Sequence, residues 1–137
     1  MGGMTYAFDT NIVSYLLKKD VRIQRKMETA IKNEYKFVIL PVVYYEVSRW
    51  LLERKALRLQ AEFEQMCAKM PLIMVTKEVL DGAASLYVHA RQIGRPIGSD
   101  ADILIASFCL VNNYTLITNN VKHFDEIKGL RLINWKD

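Results

Sequence analysis

Three carboxylates stand where a charge should be expensive. Asp9 ends the run Thr5-Tyr6-Ala7-Phe8, Glu46 interrupts Val42-Val43-Tyr44-Tyr45 and Val47, and Asp102 precedes Ile103-Leu104-Ile105-Ala106. A buried carboxylate without a partner raises its pKa or costs on the order of several kcal/mol, so acids in such places point to a shared cation. Cys67 and Cys109 lie far apart with no C-x-x-C, and no histidine stands at ligand spacing. Oxygen donors alone suit a hard ion, magnesium or manganese, and make zinc the poorer candidate. Such an ion lowers the pKa of a bound water and aims it in line at a phosphodiester, so no nucleophilic side chain is needed. The sequence accordingly holds no P-loop, no G-x-S-x-G and no G-x-G-x-x-G. This chemistry requires the carboxylate oxygens to converge within about one coordination sphere.

Each acid also has a purely structural reading. Asp9 suits the N-cap of a helix, Ser99-x-x-Asp102 resembles a capping box, and Glu46 could pair with Arg49. The conjunction favours a site, because three acids from separate elements fall at one end of one expected sheet. Asp100 is a further candidate ligand, ranked below Asp102, or else a cap. Asn119 and Asn120 follow Leu116-Ile117-Thr118 and either offer amide oxygens to a cation or form a turn. Thr10 and Asn11, beside Asp9, either bind phosphate or turn the chain. His89 and His123 read as surface or helix residues rather than general bases. Arg49, Arg54, Lys55 and Arg58 form either a basic stripe that grips phosphates or a solvated helix face.

The elements that must position these groups alternate. Short β-rich runs exchange with amphipathic helical patterns, which predicts an α/β fold with a mainly parallel sheet and helices on both faces. Strands are expected at Thr5 to Phe8, Phe37 to Leu40, Leu72 to Val75, Tyr114 to Thr118 and, at an edge, Arg131 to Trp135. A helix follows Asp9, another starts near Val21, and Pro41 opens a third whose second turn carries Glu46. Past Trp50 and Arg54-Lys55, the spacing of Leu59, Phe63, Met66 and Met70 predicts a second helix packed back as an antiparallel arm. Thr76 caps a helix with Val79, Leu80, Ala83, Leu86, Tyr87 and Ala90 as its stripe, and Asp102 to Val111 is a helix buried on most sides. In such sheets ligands gather beyond the carboxyl ends of the strands, where Asp9 and Asn119-Asn120 fall.

At 137 residues with 51% hydrophobic and 25% charged residues, the chain is expected to be one domain, residues 1–137, with a core that needs no disulfide. Charges break every apolar run well short of about 18 residues, so no membrane span is expected. Cysteine usage fits a reducing compartment, and a cytoplasmic location is expected. Lysine and arginine number 19 against 15 acids, a +4 balance that permits a polyanionic partner without demanding one. Gly2-Gly3 is discounted.

Asp9-Thr10-Asn11, Glu46 after Leu40-Pro41, the segment Ile97 to Ala106, and Leu116-Ile117-Thr118-Asn119-Asn120 with Phe124 together resemble the PIN-domain ribonucleases, especially VapC-type toxins. The four motifs follow the family's order and span nearly the whole chain, to Gly129-Leu130-Arg131 and Trp135. The resemblance implies a three-layer PIN-like sandwich and metal-binding acids at Asp9, Glu46 and Asp102, with Asp100 a possible substitute. Many members carry a fourth acid where this chain has Asn120, so a second metal is expected to bind weakly or only with substrate. Magnesium- or manganese-dependent cleavage of structured RNA, a homodimer and a small VapB-type antitoxin are further implications. Against these stand two other classes: a catalytically silent module that binds nucleic acid or protein, and an acid-cluster phosphatase.

Overall fold

The computed structural model describes residues 4–136, so Gly2 and Gly3 lie outside the described residues. The first strand, β1 (Thr5–Phe8), sits inside the sheet and reads as a continuous apolar run because both of its faces are covered. Helix α1 (Thr10–Leu17) follows after one residue, and α2 (Val21–Lys32) then returns the chain to β2 (Lys36–Val38). Pro41 occupies the first position of α3 (Pro41–Glu53), where its missing N–H leaves no bond unmade. Next come α4 (Leu57–Ala68), α5 (Lys77–Gln92), α6 (Asp100–Asn112), β3 (Thr115–Ile117), α7 (Val121–Phe124) and β4 (Arg131–Ile133).

The described strands form a parallel sheet in the order β2-β1-β3-β4, with Ala7 opposite both Val38 and Leu116. The chain steps from β1 to β2 on one side and returns to β3 on the other. The carboxyl ends of β1 and β3 therefore flank the point where strand order reverses, the place where open α/β sheets form a crevice. The expected α/β architecture holds, and α3 and α4 do fold back on each other. Tyr44 meets Phe63 at 5.4 Å and Gln60 donates to the Leu51 carbonyl, as antiparallel neighbours should.

One expected strand does not form. Of Leu72 to Val75 only Leu72 pairs, through a single parallel bridge to Ile39, while Met74 and Val75 are exposed. The reason lies in the partner: the ladder beside Ile39 stops because Leu40 and Pro41 already begin α3. The strand β1 has the expected bounds, β2 begins at Lys36 and ends at Val38, β3 and β4 stop short of their expected ends, and α6 begins at Asp100 rather than Asp102.

An aromatic cluster fixes the end of β1. Phe8 stacks on Phe37 with ring centroids 5.3 Å apart, and Trp135 from beyond β4 packs edge-on against Tyr6, Phe8 and Phe37. Aromatic pairs of this kind contribute about 0.5–1.5 kcal/mol each beyond the area they bury. The C-terminal segment is tied down further by Lys136 Nζ, 2.8 Å from Asp20 Oδ2.

Helices α5 and α6 approach closely at Gly82, where a Cβ would stand 2.6 Å from Ser107 Oγ. That hydroxyl is buried and donates to the Val79 carbonyl at 2.6 Å. Gly82→Ala should therefore destabilise the protein by about 1–2 kcal/mol in urea denaturation, because the displaced hydroxyl loses a buried hydrogen bond. In a Ser107→Ala background the same substitution should be neutral or stabilising, since alanine favours a helix by about 1 kcal/mol over glycine.

Candidate active site

Asp9 is the N-cap of α1 and only 5% exposed. Its extended backbone turns the carboxylate back over the start of the helix, where the Thr10 N–H donates to Oδ1 at 2.8 Å. The other oxygen, Oδ2, accepts from the Thr118 hydroxyl at 2.7 Å, a bond that joins the loop after β1 to the loop after β3. Thr118 Oγ1 in turn accepts from the Asn120 N–H at 2.9 Å. Glu46, on the second turn of α3, accepts from the Thr10 hydroxyl at 2.7 Å. Asp102 lies in the first turn of α6, where Ser99 caps the helix by accepting from the Asp102 N–H at 3.1 Å.

The charges of Glu46 and Asp102 act on Asp9. Burial pushes the Asp9 carboxyl above its ordinary range, hydrogen bonds from Thr118 and Thr10 pull it back, and the charges of Asp102 and Glu46 raise it again. Thr10 joins Asp9 to Glu46 by hydrogen bonds, and the charges of Glu46 and Asp102 both reach Asp9. They do not form a closed ligand shell, however: among the described residues no three His, Cys, Asp or Glu side chains stand together as a ready-made metal-binding group. Each carboxylate also has a hydrogen-bond partner, and at Asp9 that partner is the Thr10 N–H its capping reading requires. The full convergence expected from the sequence is thus only partly present.

The donors nonetheless fit a hard cation in kind and in charge. Magnesium keeps several waters and is commonly held through one or two carboxylates, so it does not need a cage of three. A carboxylate has about four acceptor directions, and hydrogen bonds occupy only one or two on each acid here. Asp9, Glu46 and Asp102 are the side chains that could hold such an ion, and its charge would offset the repulsion that Asp9 experiences.

The remaining candidates divide. Thr10 belongs to the crevice through its two hydrogen bonds, whereas Asn11 is exposed beside it. Asn120 is half-buried at the start of α7 and its N–H holds Thr118. The Asn119 amide nitrogen donates to the Tyr15 hydroxyl at 3.2 Å, while its Oδ1 is buried without a hydrogen-bond partner. Asp100 is exposed as the first residue of α6, and the acids acting on Asp9 are Asp102 and Glu46 instead. Arg49 reaches only within 4.0 Å of Glu46 and lies over the Tyr45 ring, so the expected buried pair is a loose, largely solvated one. Arg54 packs over Trp50. One residue was missed by sequence reasoning: His123, on α7, places Nδ1 at 3.1 Å from Asp102 Oδ2. The two are 21 positions apart, and no spacing rule relates them.

The family model of the PIN domain matches residues 6–130, which include every one of these residues. The chain belongs to the PIN-domain family. This PIN domain is 31% identical to "Ribonuclease VapC2" of Rickettsia felis over 96% of the chain and 98% of that relative. Its fold matches the solved structure of VapBC2 from Rickettsia felis bound to a promoter DNA fragment, with a TM-score of 0.87, 29% identity and coverage of 96% and 99% of the two chains. VapBC-1 from nontypeable Haemophilus influenzae matches with a TM-score of 0.82 and 25% identity over 98% of this chain and all of that one. The resemblance seen in the four sequence motifs is therefore one of family.

Because the folded pKa of Asp9 is raised, its contribution to stability is fully present below the unfolded carboxyl pKa and is lost as pH rises through the folded one. Asparagine is an equally good N-cap. Asp9→Asn should therefore melt higher than the native protein at neutral pH in the presence of a chelator. The gap should close as pH falls toward about 4, near the unfolded carboxyl pKa, which thermal denaturation across a pH series will read.

Proposed function

We propose that this PIN domain is a toxin endoribonuclease that hydrolyses phosphodiester bonds of structured RNA with magnesium or manganese. The observation that carries the reading is Asp9, buried at the strand-order reversal and repelled by both Glu46 and Asp102. A curated relative named as a ribonuclease, aligned over nearly the whole chain, supports it. When bound, a divalent cation supplies Lewis acidity, lowering the pKa of a water and offsetting charge on the leaving oxygen.

The protein's part is to hold and aim. Asp9 and Glu46 are coupled through Thr10, whose N–H binds one and whose hydroxyl binds the other, so neither carboxylate turns freely. Thr118 fixes the second oxygen of Asp9, and Asn120 fixes Thr118. Asp102 faces the pair from the start of α6. Where other members have a fourth acid, Asn120 leaves the crevice less negative, in keeping with weak binding of a second ion. Arg49 and Asn11 are exposed beside the crevice, and we assign them contacts with substrate phosphates.

The solved VapBC relatives are toxin-antitoxin assemblies, and we assign this chain a small VapB-type antitoxin as its partner. We also assign it a homodimer and a cytoplasmic location. Leu80, Tyr87 and Val88 lie on one face of α5 and are about half exposed, a surface suited to a second copy. No helix of the described residues is long and apolar enough to cross a membrane. One observation favours the silent-module reading: each acid already has a hydrogen-bond partner within the protein.

One assay separates the two readings. The purified protein should cut RNA with added magnesium or manganese and stop on chelation. Asp9→Asn and Glu46→Gln should each lower the rate by about 100-fold or more, since even outer residues of metal sites contribute about 10–100-fold. Undiminished cleavage in either variant overturns the nuclease reading. In light scattering, Leu80→Glu with Tyr87→Glu should shift the protein from dimer to monomer.

A further inference from the structure

We propose that His123 is a positioning residue for Asp102, holding its carboxylate toward the other two acids through the Nδ1–Oδ2 contact over the open face left by Gly98. The inference rests on the metal-dependent reading above and extends it to a side chain outside the acid set.

The three acids are not held equally. Asp9 has a bond on each oxygen, and Glu46 is held by Thr10 from within the crevice. Asp102 is on the first turn of a helix, and among the described residues the hydrogen bond to its carboxylate comes from His123. Asp102 is the more buried partner, its side chain 15% exposed against 48% for His123. Beyond His123 opens a cavity of about 570 Å³ whose walls include Leu86, Ile97, Leu110 and Ile127. An ionised Asp102 accepts, so the matching imidazole form carries its proton on Nδ1.

Gly98 supplies the space. A Cβ at this position would stand 3.0 Å from Asp102 Oδ2 and 3.5 Å from His123 Nδ1, against the two atoms that form the contact. A residue that orients a ligating carboxylate from outside affects ion affinity without touching the ion. His123 reaches this position through α7, a single helical turn anchored by the buried Phe124.

The test is a manganese titration of the metal-free protein followed by the rise in melting temperature and by calorimetry, with RNA cleavage measured alongside. His123→Ala should weaken manganese binding by about 10-fold to 100-fold, the range of outer-sphere residues, while its melting temperature in chelator stays near that of the native protein. His123→Asn should recover much of the affinity, because its amide nitrogen overlays Nδ1 and can donate to the same oxygen. Gly98→Ala should weaken binding as well. Native manganese affinity in His123→Ala overturns the proposal, and so does an Asn variant no better than Ala. A native protein that ignores manganese overturns the metal reading and this inference with it, whereas a responsive native protein with an equally responsive His123→Ala sinks this inference alone.

Discussion

The crevice depends on one buried carboxylate held at a seam. Asp9 ends β1 next to the end of β3, and the hydrogen bond from Thr118 to its Oδ2 ties the two loops across the strand-order reversal. Two threonine hydroxyls extend this tie. Thr118 accepts from the Asn120 N–H while donating to Asp9, and Thr10 offers its N–H to Asp9 and its hydroxyl to Glu46. The Thr118 hydroxyl donates and accepts at once, whereas Thr10 meets the two acids with two donors, its N–H and its hydroxyl. In a low-dielectric crevice such linked bonds are stronger than in water, and an unmet polar group would be correspondingly costly.

The same burial sets two terms in opposition. Removing water raises the energy of the Asp9 charge, its hydrogen bonds recover part of it, and the charges of Glu46 and Asp102 add a further penalty. A carboxylate placed for stability alone would avoid such neighbours. The compensation lies in the core beneath, where Phe8 stacks on Phe37 and Trp135 closes over both. Cys109, in the same interior, has its thiol pushed up to about 12 by burial and by the charge of Asp9, so it packs as an inert apolar group.

Much of this arrangement was legible in the chain. Apolar runs bounded by Asp9 and Pro41 marked the strands and helix starts, because local sterics and capping act within a few residues. Leu72 to Val75 misled for a physical reason: four apolar residues look like a strand whether or not a partner lies beside them. That partner was already consumed by the start of α3 at Leu40 and Pro41. Asp102 ranked above Asp100 in the sequence because it directly precedes Ile103-Leu104-Ile105-Ala106, although both lie in the first turn of α6. Packing leaves the first exposed and the second partly buried, with its carboxylate against His123.

Sequence by itself determined the parallel α/β alternation, the caps at Asp9, Thr76 and Ser99, and the three acids whose positions a solvated role would not explain. The motif order and the family match lie on that level too, because both are properties of residue identity and spacing. Tertiary structure alone decided that Thr118 would bridge to Asp9 across 109 positions and that His123 would meet Asp102. It also decided that the acids would share a crevice without closing into a finished ligand shell. Hydrogen bonds and charges act over a few ångströms of space, and only the folded chain brings such distant residues within that reach.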